Sequence, residues 1–170
     1  MIRTSAAFAL SLLLAAACGA CSAFTGSGEG GKAAAVQQVP FATVVQISVP
    51  GQTGKQQQEV VRDAGAWRTL WGELRKDSSL GEEPPAIDFD REMVVLAAME
   101  TQGCVSRVTI RSITRKDGGA VVDVLEEPPA PNCRCIVSAR PIHAVRVQKI
   151  SGDVSFSTGR GEMGCGSKPI

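Results

Sequence analysis

The chain has 170 residues, with 18 Lys and Arg against 17 Asp and Glu. Arg3 lies in an apolar leader, and its removal leaves 17 basic residues against the same 17 acids, a neutral chain of one domain's length. That balance argues against nucleic acid as a partner, since such binding needs a basic surface that releases counterions. Two Trp, five Phe and no Tyr leave the core to Val, Ile, Leu and Ala.

The leader opens with the positive charge of Arg3. An apolar run from Ala6 to Ala17 follows, broken only by Ser11. A spanning helix needs about 20 apolar residues, and Gly and Ser take over from Gly19, so residues 1–17 read as a signal peptide. The run ends in Ala15-Ala16-Ala17-Cys18, which looks like a bacterial lipobox: small residues for the peptidase, then a thiol at the first mature position. Cys18 is therefore the expected lipidation site. Cys21, after Cys18-Gly19-Ala20, is a poorer box. Acyl chains gain about 0.8 kcal/mol per buried methylene, so two or three hold a domain at a membrane.

Residues 18–39 are rich in Gly, Ser and Ala and carry no apolar period. They read as a flexible tether spanning on the order of 25 Å root-mean-square. A β-rich domain is expected over 40–158. Phe41–Val49 alternates apolar and polar residues and ends at Pro50-Gly51, a strand and a turn, and Gln58–Val61 is expected to return beside it. Asp63 then caps a helix whose Trp67, Leu70, Trp71 and Leu74 fall on one face. Gly81 and Pro84-Pro85 bar its continuation.

Beyond Ile87 the pattern predicts strands at Glu92–Met99, Ser106–Ile113, Ala120–Leu125, Cys135–Arg140, His143–Lys149 and Val154–Ser157. Asp117-Gly118-Gly119 predicts a hairpin between the second and third of these. Ser151-Gly152-Asp153 predicts a similar turn between the last two. The expected fold class is α+β, mainly β: an antiparallel sheet of about six to eight short strands packed on one amphipathic helix. Residues 159–170 form a Gly-rich tail.

Four segments carry a family resemblance: Asp63–Leu74 with its two tryptophans, Pro84–Asp90 running into Met93-Val94-Val95, the strand leading to Glu126-Glu127-Pro128, and Pro141–Val145. In that order and spacing they resemble the C-terminal domain of the protease-complex subunit PrcB and its relatives, over Val44 to Phe156. The resemblance implies an exported β-rich domain with an accessory role beside another envelope protein, and it brings no catalytic residue with it.

Cys104, Cys133, Cys135 and Cys165 remain for the folded part, an even number that suggests disulfides outside the cytoplasm. Cys133 and Cys135 share a face of an extended chain and should take different partners, Cys104 and Cys165, in either combination. The competing reading is metal ligation by Cys133, Cys135, His143 and one further cysteine, but structural zinc sites space paired cysteines two to four apart. His143 is the single histidine. Beside a strand entry it is expected to bond backbone rather than act as a base, and neither Ser106 nor Ser138 sits in a nucleophile motif. Asp88, Asp90 and Glu92 alternate and so share one face of an extended segment, expected to be solvated rather than to bind calcium. Glu82-Glu83 and Glu126-Glu127 read as loop acids. Gly159-Arg160-Gly161 lacks the Lys and Thr of a phosphate loop.

These features point to a non-enzymatic cell-envelope lipoprotein without cofactor. It would be an accessory or protein-binding module, held to a membrane by its lipid and using an edge strand or the groove beside the tryptophan helix. The alternatives are an extracytoplasmic protease inhibitor, presenting Pro128-Pro129-Ala130-Pro131, or capture of a small ligand. Gly19 after the lipid cysteine favours the outer membrane where two membranes exist.

Overall fold

The computed structural model describes residues 37–76 and 78–165, all within the compact unit Ala35–Ile170. The signal peptide, Cys18 and Cys21 lie outside the described residues. Among those residues are seven strands and one helix. In chain order they are β1 (Phe41–Pro50), β2 (Gln57–Val61), α1 (Ala64–Leu74), β3 (Glu92–Ala98), β4 (Arg107–Lys116), β5 (Gly119–Glu127), β6 (Ala139–Gln148) and β7 (Val154–Arg160). The α+β, mainly β class holds.

The strands form two sheets, one ordered β1-β6-β3-β2 and the other β4-β5-β7. The four-stranded sheet is antiparallel throughout and is the middle of three layers. Met93, Val95, Ala97, Val145 and Val147 pack toward the other sheet, with Ile110, Val122 and Val124. Val94, Leu96, Ala98, Ile142 and Ala144 pack toward Trp67, Leu70, Trp71 and Leu74 of α1. Burial of both faces explains why β3 is apolar without alternation, every residue from Met93 to Ala98 being buried.

Helix α1 starts where its cap predicts, with Asp63 Oδ1 accepting from the Ala66 N–H at 2.9 Å. Past its other end, Gln52 Nε2 donates to the Lys76 carbonyl at 3.1 Å, tying the chain that leaves the helix to the turn after β1. Trp67 Nε1 donates to the Pro85 carbonyl and Trp71 Nε1 to the Gly81 carbonyl, each at 3.0 Å. Leu80, Ile87 and Phe89 pack on the same cluster. The segment after α1 therefore fills the expected groove beside the tryptophans, and both indoles are core.

The β4–β5 hairpin turns on Asp117 (φ 48°) and Gly118 (φ 81°) between Lys116 and Gly119. Positive φ at both central residues makes the tight turn that matches strand twist. Two other expected pairings are absent: β2 lies beside β3 at the opposite edge of its sheet from β1, and β6 and β7 form no hairpin. β7 leaves β6 and joins the other sheet, parallel to β5, from Ala120↔Val154 to Glu126↔Arg160. The reason lies in two glycines: a Cβ on Gly152 would sit 2.3 Å from the Gly118 carbonyl oxygen, and one on Gly119 2.0 Å from that of Asp153. Ser151–Asp153 thus crosses hard against the first turn, and Ala120 N–H bonds the Asp153 carbonyl at 2.9 Å.

Three further boundaries differ from expectation. The two strands predicted around Pro141 are one strand, β6, and residues 135–138 lie outside it. Pro141 is tolerated in this central strand because its carbonyl meets the Met99 N–H just past the end of β3. The missing N–H thus falls where the ladder stops. The end of the expected tether is also part of the domain, since Val39 is buried and its N–H bonds the Ile113 carbonyl at 2.7 Å. At the other terminus β7 runs to Arg160, and Met163 pairs with the Pro128–Ala130 segment.

Candidate functional site

His143 sits on β6, facing the second sheet. Its Nδ1 accepts from the Ile110 N–H at 2.9 Å, and Thr43 Oγ1 lies 3.1 Å from Nε2. Both partners lie where their strands slip register, between Thr43 and Val45 in β1 and between Ile110 and Ser112 in β4. A backbone N–H donates to Nδ1, so the ring is neutral with its proton on Nε2, and it joins three strands across the two sheets. Burial pushes its pKa down to about 4. This histidine is a structural bolt with both nitrogens occupied, as a bond to nearby backbone implied.

The histidine has a consequence for stability. The unfolded chain takes up a proton below about 6.5, whereas the folded ring resists it until about 4. Its contribution is complete above the unfolded value and is lost progressively as pH falls through that window. From pH 7 to pH 5 the loss is about 2 kcal/mol. Chemical denaturation across this range will show the decline in the native chain, and His143→Leu, less stable at pH 7, will have lost this arm. An unchanged slope in the variant would assign the decline to other groups.

Glutamines close the flanks of the sandwich. Gln46 of β1 donates to the Val108 carbonyl of β4 at 3.2 Å, and Gln58 of β2 donates to Thr158 Oγ1 of β7 at 2.8 Å. These links tie the edge strands of one sheet to those of the other. Asp88 is likewise not on a strand face. It belongs to a turn, with Oδ1 accepting from Asp90 N–H at 3.2 Å and its carbonyl accepting from Arg91 and Glu92. The presumed row of acids is therefore broken. Glu126 is no loop acid either: it lies on β5, only 4% exposed. Its carboxylate accepts from Gln56 and has Arg160 Nε at 3.9 Å, at the edge of a polar cleft shared with Glu100 and Gln102.

The four cysteines pair as Cys104–Cys135 and Cys133–Cys165, closing 31- and 32-residue separations. All four thiols open to the metal reading are thereby consumed, and His143 bonds elsewhere. Among the described residues no group of three or more His, Cys, Asp or Glu could hold a metal ion. Two disulfides in so small a domain fit an oxidising, extracytoplasmic compartment. Ser106 is buried with its hydroxyl on the Cys104 carbonyl, and Ser138 is exposed. His143 makes its bonds to neither.

The two bridges frame an exposed apolar surface. Between and just after Cys133 and Cys135, the chain presents Arg134, Ile136 and Val137. Ile136 is 103% exposed and Val137 53%, the two exposed large apolar side chains among the described residues. They form one wall of an open groove of about 420 Å³, with Ser48, Pro50 and Val105 across from them. A lone exposed apolar residue needs no explanation, but adjacent ones beside an apolar groove mark an interaction surface. The loop Pro128–Pro131 is held by backbone bonds, Met163 N–H to the Pro128 carbonyl at 2.8 Å and Ala130 N–H to the Met163 carbonyl at 2.9 Å. The sequence pattern hid the rim because Cys135–Arg140 reads as a strand. The only signal was two β-branched residues directly after a bridged cysteine.

Comparison with family models, curated proteins and solved structures found no match for this chain.

Proposed function

We propose that this chain is a non-enzymatic envelope lipoprotein, lipidated at Cys18, whose domain binds another envelope protein through the Ile136–Val137 rim. The observation that carries the reading is the exposure of those two residues on a loop that both disulfides hold in place. A pre-ordered apolar loop loses little conformational freedom on docking. The lipobox-like Ala15–Cys18 and the Gly-rich segment after it supply the anchor and reach. The resemblance to the C-terminal domain of PrcB supports an accessory role, and Gly19 favours the outer membrane where two exist. The occupied ring of His143 and the bridged cysteines leave the described residues without an evident nucleophile and base pair.

A photo-crosslinking residue at position 136, in cells making the full chain, is expected to join it to one envelope protein reproducibly. The same residue at Asp117, on the β4–β5 turn, should not. Cys18→Ser is expected to move the chain from the membrane to the soluble fraction and to abolish that adduct or reduce it greatly. Equal adduct patterns from 136 and 117 would sink the docking reading, and a membrane-bound Cys18→Ser chain would sink the anchor.

A further inference from the structure

We infer that the rim receives an extended, apolar peptide segment carrying an acidic residue, contributed by a different protein. The inference rests on the reading of the rim as a docking face and names what docks there. Among the described residues no hydrogen bond reaches the backbone N–H or C=O groups of Arg134, Cys135, Ile136 or Val137. The chain is nevertheless fixed on both sides. Cys133 is bridged and its N–H bonds the Ala130 carbonyl at 2.9 Å. Cys135 is bridged to buried Cys104. Ala139 exchanges two bonds of 2.9 Å with Gln102, and Gly51 N–H bonds the Ser138 carbonyl at 2.9 Å. A rigid segment with free backbone groups and apolar side chains beside it offers what an extended peptide uses: main-chain bonds for affinity and a groove for specificity.

Charge selects the peptide. Arg134 is the one charged residue lining the groove, and among the described residues it makes no salt bridge, so an acidic side chain next to the apolar anchor completes the contact. The same arginine argues against a second copy of this chain, because a two-fold contact centred on the rim would bring Arg134 against its own counterpart. A lipid surface fits less well. One arginine falls short of the basic clusters that hold proteins to anionic lipid. The chain also enters the domain at the far end: Gln38 pairs with Thr114 near the β4–β5 turn, whereas Pro50 and Ala139 lie at the rim. The ten residues of β1, at about 3.3 Å each, separate the two ends by roughly 30 Å.

The test is to pan a phage-displayed library of random dodecapeptides against the oxidised, mature chain. Selected peptides are expected to share an apolar residue with Asp or Glu close by. Ile136→Ser with Val137→Ser should weaken a selected synthetic peptide by about tenfold or more. Arg134→Glu should turn the selection toward Lys and Arg. Because all three side chains are exposed, the variants should keep the native melting temperature. Failure to enrich any peptide, or enrichment indifferent to residues 134, 136 and 137, overturns the inference. So does a concentration-dependent dimer, or binding to phosphatidylglycerol vesicles, that Ile136→Ser abolishes. If peptides fail while the adduct from position 136 persists, only the ligand class falls. If peptides bind as described and no adduct forms, the envelope partner falls and the peptide site stands.

Discussion

Removing both disulfides is expected to leave the domain largely unfolded at growth temperature. Closing loops of 31 and 32 residues restricts the unfolded chain by about 3–4 kcal/mol each on the loop-entropy estimate. The two loops overlap in sequence and need not add fully, yet together they rival the roughly 5–15 kcal/mol that holds a typical domain folded. Thermal scans by circular dichroism, with and without a phosphine reductant, will show it; a reduced chain melting within a few degrees of the oxidised one refutes it. The single-bridge variants are the more informative comparison. Because the separations are almost equal, loop entropy predicts equal losses, so any difference comes from the native state. Cys104 is buried and Cys165 exposed. The Cys104→Ala, Cys135→Ala pair should therefore lose more than Cys133→Ala, Cys165→Ala, and should also loosen the rim.

The second large effect is expected at Trp71. Its side chain is 4% exposed, in the cluster between α1 and the four-stranded sheet, with the Trp67 ring 5.4 Å away. Trp71→Ala removes that volume from a core with few aromatics and should cost about 3–5 kcal/mol. Trp71→Phe separates the contributions. It keeps most of the apolar contact but leaves the Gly81 carbonyl without its indole donor, which should cost about 1–2 kcal/mol. Urea denaturation of the two variants tests both numbers. A Trp71→Ala loss under about 1 kcal/mol would mean that the loop after α1 collapses into the space.

Local signals carried much of this architecture into the sequence. Asp63, the two tryptophans at helical spacing and the barrier at Gly81 to Pro85 define α1, because capping and amphipathic period act within a few residues. Asp117-Gly118 defines one hairpin for the same reason: positive φ at two successive positions is a local demand. Ser151-Gly152-Asp153 looked alike and behaved differently. Whether a glycine serves a turn or the close passage of another chain depends on what passes it, and here that is the Gly118 carbonyl, 34 residues earlier in the chain.

The same division runs through the candidate site. The sequence by itself determined a near balance of charge, the strand and helix periods, and four cysteines of which two must seek different mates, since composition, periodicity and alternation are properties of neighbouring residues. Only the tertiary structure decided that Cys104 takes Cys135 and Cys133 takes Cys165. It also decided that His143 bolts two sheets through Ile110 and Thr43, that Glu126 is buried, and that Ile136 and Val137 stay in solvent. Each of these depends on which distant segments meet. An apolar pair such as Ile136-Val137 is written identically for a core strand and for an exposed rim, and it is the bridge from Cys135 to Cys104 that holds it outside β6.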